Sequence, residues 1–371
     1  MQFTIQRDSL LKSLTFVQGV VEKKNTLPIL SNVLLQAKNN KLVIIATDLD
    51  IVFEDLIDNV KIKTEGSTTT SANVLYDILR KIQSGTEISF SLSSDNKVNI
   101  KSTNSDFNLL CLPPDNFPTF TDDFKEEKLE LDKNKFLSLI NKTKISISND
   151  DTRHYLNGIF FHTSESNKSN FLTGVATDSH RLSSCSMPIS SAVNFSSLIL
   201  PKKTVYQLSS LLSESDDKVF LSSSLSKIQF NIGESKLTSK VIDGKFPDYK
   251  KVVPVDNSKE LVVSTKDFID SIERVTTVSL DRKEGVKMEI SKNQVKLSVN
   301  STNSGEGQEI IKASYSSSDL TISFNSKYLL DIASEINDKN IKINLKDSVS
   351  PVLIEDMSDN DSYFVIMPMK V

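Results

Sequence analysis

Ala46-Thr47-Asp48-Leu49-Asp50-Ile51 decides the fold, because it returns 130 positions later as Ala176-Thr177-Asp178-Ser179-His180-Arg181-Leu182. Other pieces keep nearly that spacing. Leu75-Tyr76-Asp77-Ile78 returns as Val205-Tyr206-Gln207-Leu208, and Phe117-Pro118-Thr119-Phe120 returns as Phe246-Pro247-Asp248-Tyr249. A looser echo, Leu329-Leu330-Asp331-Ile332, falls in the last third. Self-similarity at a fixed period means one structural unit copied along the chain, and this period makes the unit domain-sized. Three alike domains favour a symmetric scaffold over a single deep catalytic cleft.

Working outward from the repeats, each third carries the same order of elements. A short strand opens it, at residues 1–6, 129–131 and 260–264. An amphipathic helix follows, marked by Leu10, Leu14, Val17 and Val21, then by Phe136 and Ile140 with Leu137, then by Phe268, Ile272 and Val275. Asp8, Asp132 and Thr265 are the helix-start signals, since short oxygen-bearing side chains can satisfy free amides there. Paired strands come next, at 32–36 with 41–45, 157–161 with 171–173, and 286–290 with 295–299. A second helix is predicted over 72–82, 202–212 and 326–336. A closing hairpin ends each unit, at 87–90 with 97–101, 218–221 with 227–231, and 341–345 with 351–354. Each unit is therefore α+β, two helices against antiparallel sheet. Exposed sheet edges at unit ends invite pairing with another chain, and a dimeric or trimeric ring would abolish them.

At 371 residues the chain suits three domains rather than one core. Hydrophobic content of 38% with 25% charged residues is ordinary for a soluble globular protein. No apolar run reaches the ~18 residues a membrane span needs, and no secretory signal is visible, so a cytoplasmic protein without membrane partners is expected. Cys111 and Cys185 lack metal-ligand spacing and read as reduced thiols. A net charge of −4 argues against coating nucleic acid by bulk electrostatics. The arginines are Arg7, Arg80, Arg153, Arg181, Arg274 and Arg282. So few bidentate forks disfavour sequence-specific reading of base edges.

Chemistry finds little support. The three histidines are His154, His162 and His180. Asp178-Ser179-His180 offers a carboxylate, a hydroxyl and an imidazole, but sequence neighbours rarely face one another as a triad must. There is no phosphate loop, dinucleotide fingerprint or His-Glu-x-x-His. No cofactor, no metal and no catalytic residue is expected. Asp48 and Asp50 are explained by turn chemistry as well as by cation binding. The chain end, Tyr363 to Val371, stays apolar where most termini are polar. Tyr363–Ile366 reads as a final strand, whereas Met367-Pro368-Met369 suits adaptable recognition of apolar peptides.

Together these residues resemble the bacterial DNA polymerase III β-subunit family, the sliding clamps. The matching pieces are Thr26-Leu27-Pro28-Ile29-Leu30, Tyr155-Leu156-Asn157-Gly158, Ala176 to Leu182, Phe246-Pro247-Asp248-Tyr249, Asp347-Ser348-Val349-Ser350 and Met367-Pro368-Met369, in the family's order along the whole chain. The resemblance implies three clamp-type domains in tandem, 1–124, 125–253 and 254–371, closing as a head-to-tail homodimeric ring around duplex DNA. It implies a processivity factor without chemistry of its own, opened and closed by an ATP-driven clamp loader. An enclosed duplex cannot leave sideways, so contacts inside the ring can be weak and non-specific, which reconciles DNA binding with an acidic chain.

By the same resemblance, the polymerase catalytic subunit, other polymerases and repair proteins share one pocket through a short apolar motif. The matching positions are Leu156, Thr177, Ser179, His180, Arg181, Leu182, Pro247, Lys251, Val252, Asn325, Tyr328, Val349, Pro351, Val365, Ile366, Met367, Pro368, Met369, Lys370 and Val371. Ser179 stands where glycine is common, Lys251 replaces an arginine, Lys283 an aromatic and Pro351 a serine, which bears on motif preference. The family-matched DNA contacts are Lys24, Tyr155, Lys202 and Lys203. The matched subunit contacts are Phe107 and Leu109 of one chain with Thr277 and Val278 of the other. Two rivals are a hydrolase using Asp178 and His180, and a clamp-fold adaptor that binds a ligand instead of the replicase.

Overall fold

The stripe Leu10-Leu14-Val17 becomes the buried face of α1 (Arg7–Val17). Corresponding stripes build α2 (Ala72–Lys81), α3 (Lys133–Lys144), α4 (Lys202–Glu214), α5 (Thr265–Thr276) and α6 (Ser326–Ala333). A computed structural model describes the chain except for residues 23–25, 94, 119–123, 125–127, 167–168, 191–194, 280–284, 303 and 370–371. α1 ends a turn earlier than its stripe. Val20 and Val21 remain buried, but their N–H groups both return to the Val17 carbonyl, at 3.0 and 3.1 Å. At this end Gln207 on α4 donates from Nε2 to the Phe16 carbonyl at 2.7 Å. Its Oε1 sits 1.9 Å from where a Cβ on Gly19 would lie, so any side chain there would have to displace the Gln207 amide.

The helix-start signals fall partly elsewhere. Ser71, Ser264 and Asn325 accept from the amides of Val74, Asp267 and Tyr328, at 3.4, 3.3 and 3.3 Å. Asp132 does stand directly before α3. Asp8, by contrast, accepts from Ser84 Oγ and the Gly85 amide, fixing the loop after α2, while Gln6, just before α1, makes no side-chain cap bond. The Thr265 hydroxyl donates to the Asp338 carbonyl at 2.9 Å.

The described residues form two compact units, 1–134 with 203–241 and 135–202 with 242–371. Each contains one antiparallel sheet. In the first unit the sheet runs from Leu129–Leu131 through the hairpins of 219–240 to Ile51–Ile57, then across the first third to Gln2–Gln6 and Lys61–Thr64. Ser235–Lys240 pairs with Ile51–Ile57, Ser235 opposite Asp55 and Ser239 opposite Ile51. In the second unit Asp359–Ile366 pairs with Arg181–Ile189, Arg181 opposite Ile366 and Cys185 opposite Ser362. These are the same event one repeat apart: the strand that leaves the repeated turn is completed by the last strand of the following third. A threefold repeat therefore divides into two units, because the central third contributes strands to both sheets.

Among the described residues, Gly305–Ser314 and Asp106–Leu112 lie inside the sheets yet are each paired along most of their length on one side only. Residues 305–312 of Gly305–Ser314 pair with Gln294–Ser301 on one side, while on the other only Ala313 and Ser314 meet Lys259–Ser264. In Asp106–Leu112, residues 106–110 pair with Lys97–Lys101, and only Cys111 and Leu112 meet Gly66–Ser71. Leu110 is 75% exposed and Ile310 61% exposed on these two strands.

Equivalent positions on α1, α3 and α5 each bond to a strand at these junctions. The Ser13 hydroxyl on α1 donates to Asp55, whose other oxygen accepts from Ser235 Oγ at 2.7 Å. On α3 the equivalent residue is Lys142, buried, with Nζ 2.6 Å from Asp359, 3.3 Å from Asp356 and 3.0 Å from Ser362 Oγ. On α5 it is Ser271, which donates to Glu309 at 2.9 Å on the half-paired strand. Burial alone would lower the Lys142 pKa, but Asp359 and then Asp356 hold it above its ordinary value. Both carboxylates are held below theirs despite burial, Asp359 by Lys142 and Ser362, and Asp356 by Ser358, backbone amides and Lys142. Among the described residues no helix is long and apolar enough to cross a membrane.

Candidate functional site

Within the second unit, the turn from Thr177 to Arg181 is built by its own side chains. Thr177 Oγ1 donates to the Arg181 carbonyl at 2.7 Å and accepts from the Ser179 amide at 3.1 Å. Asp178 Oδ1 accepts the amides of His180 and Arg181, both at 3.0 Å. Such side-chain-closed turns tolerate a left-handed residue, and Ser179 has φ +75°. That conformation is the physical reason glycine suits the position. Ser179 offsets the strain in part, its hydroxyl lying 2.5 Å from Arg153 Nη1.

Asp178 commits its second oxygen to Arg181 Nε at 3.1 Å, so it does not orient the His180 imidazole as a triad would. His180 instead lies beside the Tyr328 ring, centroids 6.5 Å apart. Arg181 is 8% exposed, reaches Asp331 at 2.7 Å and lays its guanidinium 4.2 Å from the Tyr328 ring centre. Three elements are thereby tied together: the turn, α6, and the chain end, whose Met367 amide donates to the His180 carbonyl at 2.8 Å.

Beside this turn opens a cavity of about 330 Å³. Leu156, Leu182 and Val365 form an apolar floor that is buried in the protein. Thr177, Ser179, His180 and Arg181 form one wall, Pro247 and Val252 the other, and Met367, 41% exposed, stands at the mouth. Strand alternation separates the neighbours Val365 and Ile366: the first lines the cavity and the second is fully buried in the core. Just after Leu156 the chain enters a strand at Gly158, where the neighbouring strand Leu198–Pro201 approaches so closely that a Cβ would lie 2.1 Å from the Leu200 carbonyl oxygen.

Several residues singled out in the sequence do not line this cavity. Lys251 pairs with Asp248 at 3.3 Å. Asn325 caps α6 and Tyr328 lies behind Arg181. Val349 is 65% exposed, with its amide on Asp347, and the Pro351 carbonyl accepts from Asn257. Pro368 is half-buried, and the Met369 amide donates to the Ser323 carbonyl at 2.7 Å. Lys370, Val371, Lys283 and Lys24 lie outside the described residues. Conversely, Arg153, Asp248 and Tyr249 line the cavity without having been singled out for it, and so does Tyr155, expected as a DNA contact. The repeated Phe-Pro-Asp-Tyr motif was the available signal for Asp248 and Tyr249.

Of the other candidate contacts, Lys202 Nζ donates to Asn149 Oδ1. Lys203 Nζ lies 2.6 Å from Asp48 and 2.8 Å from the Val20 carbonyl. Phe107 lines a first-unit cavity of about 600 Å³ with Val74, Ile78 and Ile82, and Leu109 is half-buried. Thr277 ends α5, and Val278 packs against the second unit's core.

Comparison with known proteins identifies the set. Residues 1–121, 130–248 and 250–370 match the family models of the DNA polymerase III β subunit, N-terminal, central and C-terminal domains. The β sliding clamp of Caulobacter vibrioides is 38% identical over 375 residues, and that of Escherichia coli K12 34% identical over 371, each covering 100% of both chains. A C. crescentus β sliding clamp crystallised with PEG bound to its putative β-motif tethering region superposes with TM-score 0.95 at 38% identity, covering 100% of this chain and 99% of the other. A Bartonella birtlesii clamp bound to griselimycin gives TM-score 0.95 at 40% identity, with 100% of both chains covered. The chain thus belongs to the bacterial DNA polymerase III β-subunit family, the sliding clamps that make the replicative polymerase processive.

Proposed function

We propose that the cavity beside Thr177–Arg181 captures a short apolar motif carried by the polymerase catalytic subunit and by other polymerases and repair proteins, while two copies of the chain close head to tail around duplex DNA. The observation that carries the first part is the buried floor of Leu156, Leu182 and Val365 behind an adaptable methionine mouth. An apolar cavity with a few fixed polar groups suits one or two apolar anchors of a peptide. Saturable binding of a Gln-Leu-x-Leu-Phe peptide at roughly micromolar strength, lost when residues 367–371 are deleted, is the expected result. Unchanged binding after the deletion would remove the cavity from this role.

Closure is supported by the two half-paired strands. Ile51–Ile57 and Arg181–Ile189 are each completed by the last strand of the next third, so Gly305–Ser314, which holds the corresponding place in the last third, and the first third's last strand, Asp106–Leu112, are complementary in kind. Pairing them between two copies would repeat the same event twice more and cover Leu110 and Ile310. In this reading Phe107 and Leu109 of one copy approach Thr277 and Val278 of the other, and the domain division is 1–124, 125–253 and 254–371. Lys24, Tyr155, Lys202 and Lys203 are the proposed DNA-facing set. Lys203 would exchange its carboxylate partner for phosphate, a weak and salt-sensitive contact suited to sliding. The ring acts without chemistry of its own, in the cytoplasm, and is opened by an ATP-driven loader.

A further inference from the structure

On the far side of Pro247-Asp248-Tyr249 lies a second groove, of about 560 Å³, that shares this segment as a wall with the peptide cavity. Its aromatic surfaces are ordered by contact: Phe160 stacks on Phe246 with centroids 4.8 Å apart, and His162 Nε2 lies 2.9 Å from the Tyr249 hydroxyl. Burial holds the His162 pKa below its ordinary value, so the ring is neutral near pH 7 and the cationic charge of the groove sits on its rim. That rim carries Lys245 and Lys250, both exposed, and neither makes an ion pair among the described residues. The one carboxylate on the rim, Asp248, is already paired with Lys251.

We infer that this groove is a second subsite for the same partner chain: it takes an acidic, aromatic-bearing segment flanking the motif held in the first cavity. The inference rests on the peptide-capture reading of that cavity. Continuity through the Pro247–Tyr249 wall lets one extended segment reach both. The aromatic floor suits a ring that stacks, and two uncompensated ammonium groups select for carboxylates beside it. Linking two modest contacts in one chain raises affinity because the second engagement becomes intramolecular.

The test is fluorescence anisotropy on the full chain with two labelled probes. One is the Gln-Leu-x-Leu-Phe core, and the other is that core joined at either end through Gly-Ser to Asp-Phe-Asp. One extended probe is expected to bind about tenfold tighter than the core. Lys245→Glu with Lys250→Glu removes that gain and leaves core binding unchanged. A double change of equal charge at Lys292 and Lys312 retains the gain. No gain from either extension, or a gain that survives the Lys245/Lys250 change, overturns the inference while the first cavity's role stands. Failure of the core itself to bind sinks the peptide-capture reading and this one with it. Single-stranded oligonucleotide binding abolished by the Lys245/Lys250 change, without any peptide gain, would assign the groove to nucleic acid and likewise overturn the proposal.

Discussion

Strands Ile51–Ile57 and Arg181–Ile189 leave turns of the same construction and are completed in the same way, yet their supports differ. In the first turn Thr47 Oγ1 donates to the Ile51 carbonyl at 2.8 Å, and Asp48 Oδ1 accepts the Asp50 and Ile51 amides at 2.9 and 2.7 Å. Leu49 has φ +80° where Ser179 has +75°. Beneath the first strand stands a serine, Ser13. For the second, the strand that completes it, Asp359–Ile366, is held by a buried lysine, Lys142, between two carboxylates. Around the first turn Lys203 pairs with Asp48. Around the second, Arg181 joins Asp178, Asp331 and Tyr328, and a cavity opens. The copied backbone supplies a rigid turn and a paired strand, and the side chains added to one copy turn it into a site.

The comparison is sharpest where charge is buried. Lys142→Met should destabilise the second unit by about 3–5 kcal/mol, because two carboxylates lose the buried cation between them. Ser13→Ala in the first unit should cost about 1 kcal/mol. Denaturant unfolding followed by regional hydrogen exchange separates the two. Equal costs would mean that the two supports are equivalent.

Next in size is Arg181→Ala, which releases Tyr328 and Asp331 as well as the turn. It should weaken core-peptide binding by about tenfold or more, roughly 1.4 kcal/mol per factor of ten. Lys203→Ala, the change at the matching turn, should leave that affinity unaltered in the same titration. A loss with Lys203→Ala would show that the first turn also shapes the cavity.

Acid should likewise separate the units. Asp356 and Asp359 have folded pKa values below the ordinary one, so their stabilisation is present above about pH 4 and is lost as pH falls through the lowered values. The raised Lys142 pKa withdraws stability only as pH climbs through it in the alkaline range. Hydrogen exchange at falling pH should therefore show 135–202 and 242–371 losing protection below pH 4 in wild type. In a Lys142→Met, Asp356→Asn, Asp359→Asn chain that acid dependence should flatten. Acid loss of the same size in the triple variant would place the sensitive carboxylates elsewhere.

The smallest expected effect concerns the turns themselves. Leu49→Gly removes a left-handed strain and should stabilise by up to about 1 kcal/mol. Ser179→Gly relieves the same strain but drops the Arg153 contact, so its gain should be smaller by thermal melting. A larger gain at Ser179 would mean that the Arg153 bond contributes nothing.

Local pattern was legible in the sequence. The strand read at 129–131 is Leu129–Leu131, and the closing hairpins fall within a residue or two of their expected positions, because alternation and turn residues are short-range signals. The completion of one third by the next was not legible, since pairing between Arg181–Ile189 and Asp359–Ile366 depends on contacts nearly 180 residues apart that no local periodicity encodes. The cavity divides similarly. Thr177, Arg181 and Met367 were marked by motifs that sit in it, whereas Arg153 enters through a bond to Ser179 that only the fold creates. Asp8 misled for a physical reason: a carboxylate beside a helix start serves whichever amides approach it, here those after α2.

In the proposed ring, Gly305–Ser314 is finished by Asp106–Leu112 of a second copy. Sedimentation equilibrium of the intact chain and of Leu110→Asp with Ile310→Asp tests it most directly. Both side chains are exposed, so the substitutions leave each chain folded. The wild-type mass should be about twice the 41.4 kDa chain, and the double variant should fall to a single chain with unchanged circular dichroism. A wild-type monomer, or a variant that stays dimeric, would contradict the claim.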